Sequence, residues 1–214
     1  MENVTDRVSN PFDFKPPARF LLADGGPESV PGYGDANADF HVIGDHAGVH
    51  GGQSTGVPFT TSLAGQRLQR VLHDAGFLKD EYADAPVPDN LYLNYLFFPR
   101  LPTGATPTEE DYWELERYFD SELRAINAHI LLPVGETAID HVVREYTTLR
   151  HRFPDSLDVD AMHAMEIRGR GFMVVPIKDP AEWEDEEEAA LRERLLAILD
   201  SDYRQTKGVA TLVG

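Results

Sequence analysis

The feature that most limits how this chain can fold is a change of pattern at Phe40. Short apolar runs alternate from there with amphipathic segments, the signature of an α/β domain in which crossover helices join parallel strands. Strands are predicted over residues 40–43, 91–98, 129–134 and 172–177, and helices over 63–75, 106–127, 136–146 and 184–201. The second strand is apolar almost throughout, as a strand covered on both faces should be. Thr106-Pro107-Thr108-Glu109 carries a capping residue, a first-turn proline and an acid three residues on, so a helix opens there. Residues 1–39 are rich in Pro, Gly and Asp and read as an irregular arm that packs Phe12, Phe14, Phe20 and Leu21 onto the domain at 40–201. Residues 202–214 read as a tail. A length of 214 residues suits one core.

The chain has no cysteine, which removes disulfides, thiolate nucleophiles and cysteine-held clusters at once. No apolar run approaches the roughly 20 residues that span a bilayer, and residues 1–19 carry no basic start followed by an apolar core, so a soluble, cytoplasmic, monomeric protein is expected. The net charge is −18, and the basic residues are four Lys against fifteen Arg. The acids are spread over many segments, which fits a surface adapted to high salt better than one acidic binding face. Such a surface repels a phosphate backbone, so any DNA binding must rest on local arginines, stacking and shape.

Open parallel sheets bind ligands at the carboxyl ends of their strands. The unusual residues collect in the turns expected there: Gly44-Asp45-His46-Ala47-Gly48, the end of the strand holding Asn94, Gly135-Glu136-Thr137-Ala138, and Lys178-Asp179-Pro180-Ala181. Each has a plain alternative. Asp45 and Asp179 can cap the helix or loop on their C-terminal side, and His46 and His50 can be solvated loop residues. Phe59 can be a core aromatic, Asn94 a sheet-end hydrogen-bonder, and Arg168-Gly169-Arg170-Gly171 a hairpin. A metal site from His41, His46, His50 and Asp45 is disfavoured because strand alternation turns His41 away from the turn. The glycines from 44 to 52 lack dinucleotide-binding spacing.

Taken in order, these segments resemble the family 4 uracil-DNA glycosylases over residues 30–183. The likeness runs through Gly32-Tyr33-Gly34-Asp35, the Gly44 to Gly48 turn, Gly56-Val57-Pro58-Phe59, Ala64-Gly65, Asn94, Pro99-Arg100, Thr106 to Glu110, Val134 to Ala138 and Arg168-Gly169. The resemblance implies a three-layer α/β/α sandwich around a four-stranded parallel sheet, acting on DNA that contains uracil or another deaminated base. It implies that Phe59 stacks on the flipped base and Asn94 reads its edge. The turn from Gly44 to Gly48 presents backbone N–H groups and holds water, and Arg100, Arg168 and Arg170 flank the DNA backbone.

The chain also departs from the family. Phe98 and Leu115 stand where the inner cluster cysteines are expected, implying that the iron–sulfur cluster is lost and its volume filled by packing, with no other cofactor or metal. The His-Pro-Ala after the last strand is here Asp179-Pro180-Ala181. An ionised Asp179 would repel a departing uracil anion and slow the reaction, and two substitutes are conceivable: His46 for the missing imidazole, or Asp45 orienting water while Asp179 steadies the cationic sugar. A homologue that binds nucleic acid or a nucleobase without cleaving it is the alternative. The glycosylase reading requires Phe59 and Asn94 to meet around one planar ring.

Overall fold

The computed structural model describes residues 8–148, 151, 153–154, 156–169 and 171–206. Its centre is a seven-stranded sheet of order β1-β2-β4-β3-β5-β7-β6, formed by Val8–Ser9 (β1), Tyr33–Gly34 (β2), Phe40–His46 (β3), Leu91–Phe97 (β4), Ile130–Pro133 (β5), Ile167–Arg168 (β6) and Met173–Val174 (β7). Strands β4, β3, β5 and β7 run parallel and are the four predicted from sequence. Antiparallel strands extend them at both edges. The arm is therefore less irregular than expected, because it supplies β1 and β2 and pairs Tyr33 with Leu93.

Helices α1 (Ala47–His50), α2 (Leu63–Asp74), α3 (Glu109–Ile126), α4 (Glu136–Glu145), α5 (Val159–Met162) and α6 (Asp185–Leu199) complete the chain. Strand alternation sorts the core into two layers. Phe40, Val42, Leu91, Leu93 and Tyr95 pack with Leu68 and Leu72 of α2 and Leu191 and Leu195 of α6. Ile43, Tyr92 and Leu96 pack on the other face with Phe119 and Leu123 of α3 and Ile139 and Val142 of α4. Three layers result, as the resemblance implied.

Two local expectations are corrected. The cap of α3 is Thr108, not Thr106, and its capping-box partner is Asp111: the Thr108 hydroxyl accepts from the Asp111 N–H and the Asp111 carboxylate accepts from the Thr108 N–H. Leu21 is 49% exposed rather than packed, while Phe20 is buried edge-on to Phe97. Phe98 and Leu115 share one apolar cluster with Phe20 and Phe97, so neither position offers a ligand atom to iron. Residues 203–206 form a 3-10 turn, and Tyr203 packs on Phe40, with ring centroids 5.2 Å apart.

Candidate active site

Beyond the carboxyl ends of the parallel strands lies a cleft of about 470 Å³. Asp45, Val49 and His50 line it from the end of β3 and α1, Gly135 to Thr137 from the start of α4, Asp158 and Asp160 from α5, and Lys178, Asp179 and Glu182 from the segment after β7. The sequence-based expectation of chemistry at these turns is thus matched in position by a cavity, though its lining is not the expected set.

His50 is the imidazole that reaches the cleft. It is 1% exposed, and its Nδ1 accepts the Asp45 N–H at 3.1 Å. Burial pushes its pKa down to about 4, against a smaller upward pull from Asp45. The ring is therefore neutral near pH 7, and since Nδ1 is the acceptor, Nε2 carries the proton. That Nε2 has no partner among the described residues. It faces Gly135, whose absent Cβ would sit 3.3 Å from it. The same glycine, at φ 81°, opens α4 without a side-chain cap, leaving first-turn N–H groups beside the imidazole.

The ring is held from behind. His50 stacks on Phe59 with centroids 5.5 Å apart and planes 23° apart, and Phe59 in turn leans on Tyr95 at 5.2 Å. Gly44 permits this approach, because a Cβ there would lie 2.7 Å from both Phe59 Cζ and Tyr95 Cε1. The Tyr95 hydroxyl accepts the Phe59 N–H at 2.7 Å and donates to the Gly51 carbonyl at 2.9 Å. Phe59, at 1% exposure, is a platform beneath His50 and has no open face toward the cleft.

Two carboxylates of the expected catalytic set line the cleft. Asp45 Oδ1 accepts a hydrogen bond from the Tyr112 hydroxyl. Asp179 Oδ1 accepts the Ala181 N–H at 2.9 Å and caps the 3-10 turn Pro180–Glu182. Arg67 pins that turn from α2 by donating to the Pro180 carbonyl at 3.1 Å and the Trp183 carbonyl at 2.6 Å.

The remaining expected residues lie elsewhere. His46 is 3% exposed, and its Nδ1 accepts the Gly48 N–H at 3.0 Å, so it caps α1 and lines no part of the cleft. Gly48 packs against that ring. Asn94 points into the α3 layer, where its Nδ2 donates to Glu122 at 2.6 Å beside the Tyr92 hydroxyl, which donates to the same carboxylate at 2.7 Å. Asn94 and Phe59 are therefore on opposite faces of the sheet, and they do not meet around one ring. The reason is alternation: Asn94 shares a face with Tyr92 and Leu96, while Tyr95 turns toward Phe59.

Arg100 donates to both carboxylate oxygens of Asp24, at 2.9 and 2.7 Å, and to the Pro27 carbonyl, which ties the arm to the domain. Arg168 is exposed on edge strand β6, in a hairpin with β7, and pairs with Glu166 at 3.4 Å. Arg170 lies outside the described residues. Among the described residues lining the cleft, Lys178 is the one Lys or Arg, and it is paired with Asp160 at 2.8 Å and Glu187 at 3.3 Å.

A sheet of this order with a cleft at its carboxyl ends defines an α/β protein, and comparison with known proteins narrows the class. The family model of the uracil DNA glycosylase superfamily matches residues 31–198. The chain belongs to that superfamily. It is similar to a type-5 uracil-DNA glycosylase of Thermus thermophilus, with 30% identity over 129 residues, covering 58% of each chain. It is also similar to a type-5 uracil-DNA glycosylase of Pyrobaculum aerophilum, with 27% identity over 113 residues, 51% of this chain and 50% of the other. The chain thus matches about half the length of these curated relatives, and both carry the type-5 name, whereas its motifs resemble family 4.

Proposed function

We propose that this protein hydrolyses the N-glycosidic bond of uracil, or of another deaminated base, in DNA. The observation that carries the proposal is the buried His50 Nε2–H, unpartnered among the described residues, in the same cleft as Asp45 and Asp179. Breaking the bond places negative charge on the departing base and positive charge on the sugar. A neutral imidazole N–H and the positive end of α4 suit the first, and two carboxylates suit the second. In this reading His50, not His46, supplies the imidazole that the segment at Asp179 lacks. Asp45 orients the attacking water, and Asp179 steadies the sugar cation. Phe59 acts through His50. The meeting of Phe59 and Asn94 around one ring, which the sequence-based glycosylase reading required, fails because the two lie on opposite faces of the sheet, so the proposal rests on His50 and the cleft carboxylates in its place. The reaction uses no metal or iron–sulfur cluster, and the protein works as a monomer in the cytoplasm of a high-salt cell.

A second reading, binding without cleavage, is favoured by Asp179, a carboxylate lining the cleft where it would repel a departing base anion. A single-uracil oligonucleotide, incubated with the protein from low to molar salt and then treated with alkali, separates the two. Strand cleavage at the uracil supports the hydrolase. Retained binding with no cleavage supports the second reading, and neither result removes both.

A further inference from the structure

We propose that Tyr112 is the positioning residue for the Asp45 carboxylate. The inference rests on the glycosylase reading and deepens it. Asp45 is the penultimate residue of β3 and lines the cleft, where a carboxylate on a short side chain has several rotamers open to it. Its Oδ1 accepts from the Tyr112 hydroxyl, and among the described residues no partner takes Oδ2, which leaves one oxygen for water or sugar. Tyr112 itself does not line the cleft; it approaches Asp45 from the side of α3.

The tyrosine is fixed before any ligand arrives. Its ring packs edge-on against Phe97 with centroids 6.0 Å apart and planes 68° apart. It follows Asp111, the capping-box residue of α3, and Arg19 of the arm pairs with Asp111 at 2.7 Å and also with Glu114. The arm, the start of α3 and β4 thus converge on one hydroxyl that grips one carboxylate. A hydroxyl donor to an ionised acceptor is among the stronger side-chain hydrogen bonds, so its removal frees Asp45 without emptying any volume.

The test measures single-turnover release of base from a single-uracil oligonucleotide, with protein in excess so that slow variants stay measurable. Tyr112→Phe is compared with the wild type, and again with Asp45→Asn as the background. The substitution is expected to slow release by about 10- to 100-fold. Binding to an abasic-site oligonucleotide should change by less than about twofold, and over Asp45→Asn the substitution should add less than about twofold. A thermal unfolding curve confirms that the variant is folded. Unchanged release, an equal loss of binding, or the same loss in both backgrounds overturns the role of Tyr112 while the glycosylase reading stands. A wild-type protein that releases no base overturns that reading and the inference with it.

Discussion

His50 and Asn94 show how much a single orientation decides. Both are buried polar side chains, one at the end of α1 and the other midway along β4, yet one lines the cleft and the other is held in the opposite layer. Alternation along β4 is legible in sequence, and Tyr92-Leu93-Asn94-Tyr95 already assigns Asn94 and Tyr95 to different faces. The exchange of His46 for His50 is not legible, because the two bracket a four-residue helix and only the packing of Phe59 on Gly44 selects the ring that turns inward. Since burial holds His50 neutral with a pKa of about 4, its donor form persists well below the ordinary histidine range. Base release should therefore show no loss of rate near pH 6.5 and should fall only as pH approaches the folded value of about 4. A pH–rate profile with an imidazole step near 6.5 would contradict this.

Glu122 makes a separate prediction on stability. Burial raises its pKa from 4.5 to about 7, against the hydrogen bonds from Asn94 and Tyr92. The folded state then holds a proton that the unfolded state has released between these values, so this group's contribution falls as pH rises through that window. Across it the loss is on the order of 3 kcal/mol. His41 and His50, both lowered to about 4, act in the opposite sense over their own window, so the variant difference is the cleaner readout. Glu122→Gln should gain stability over wild type as pH goes from 4.5 to 7. Urea midpoints that move in parallel across this range would refute the assignment.

At the level of elements, the four parallel strands and the four long helices follow the sequence because each carries a run of apolar residues long enough to define a period. The antiparallel strands β1, β2 and β6 are two residues each, too short for any period, and they exist through pairing: β2 on the seven-residue β4, β1 on β2 and β6 on β7. The cleft-lining turn after β7 depends on a contact distant in sequence. Arg67 on α2 donates to carbonyls of Pro180 and Trp183, and no local pattern announces it. Arg67→Ala should leave those carbonyls without their donor and destabilise the protein by about 1–3 kcal/mol. Faster hydrogen exchange at the Ala181 and Trp183 amides, with slower base release, is the expected result; unchanged exchange there would show that the turn holds itself.

Across the whole molecule, a net charge of −18 makes self-repulsion a cost that salt relieves. The melting temperature should rise from low to molar salt, and a fall would contradict a surface adapted to that condition. No helix among the described residues is long and apolar enough to cross a membrane. The acidic cleft also predicts DNA affinity with a shallow salt slope, since few phosphates are neutralised and few counterions released. Steep loss of binding with salt would point to a basic surface that the cleft does not have. The central claim, that a neutral buried imidazole drives base departure, is tested most directly by single-turnover release of uracil by wild type and by His50→Ala. The account predicts measurable release by the wild type and a loss on the order of 100- to 1000-fold in the variant, with the protein still folded. Equal rates in the two proteins would contradict it.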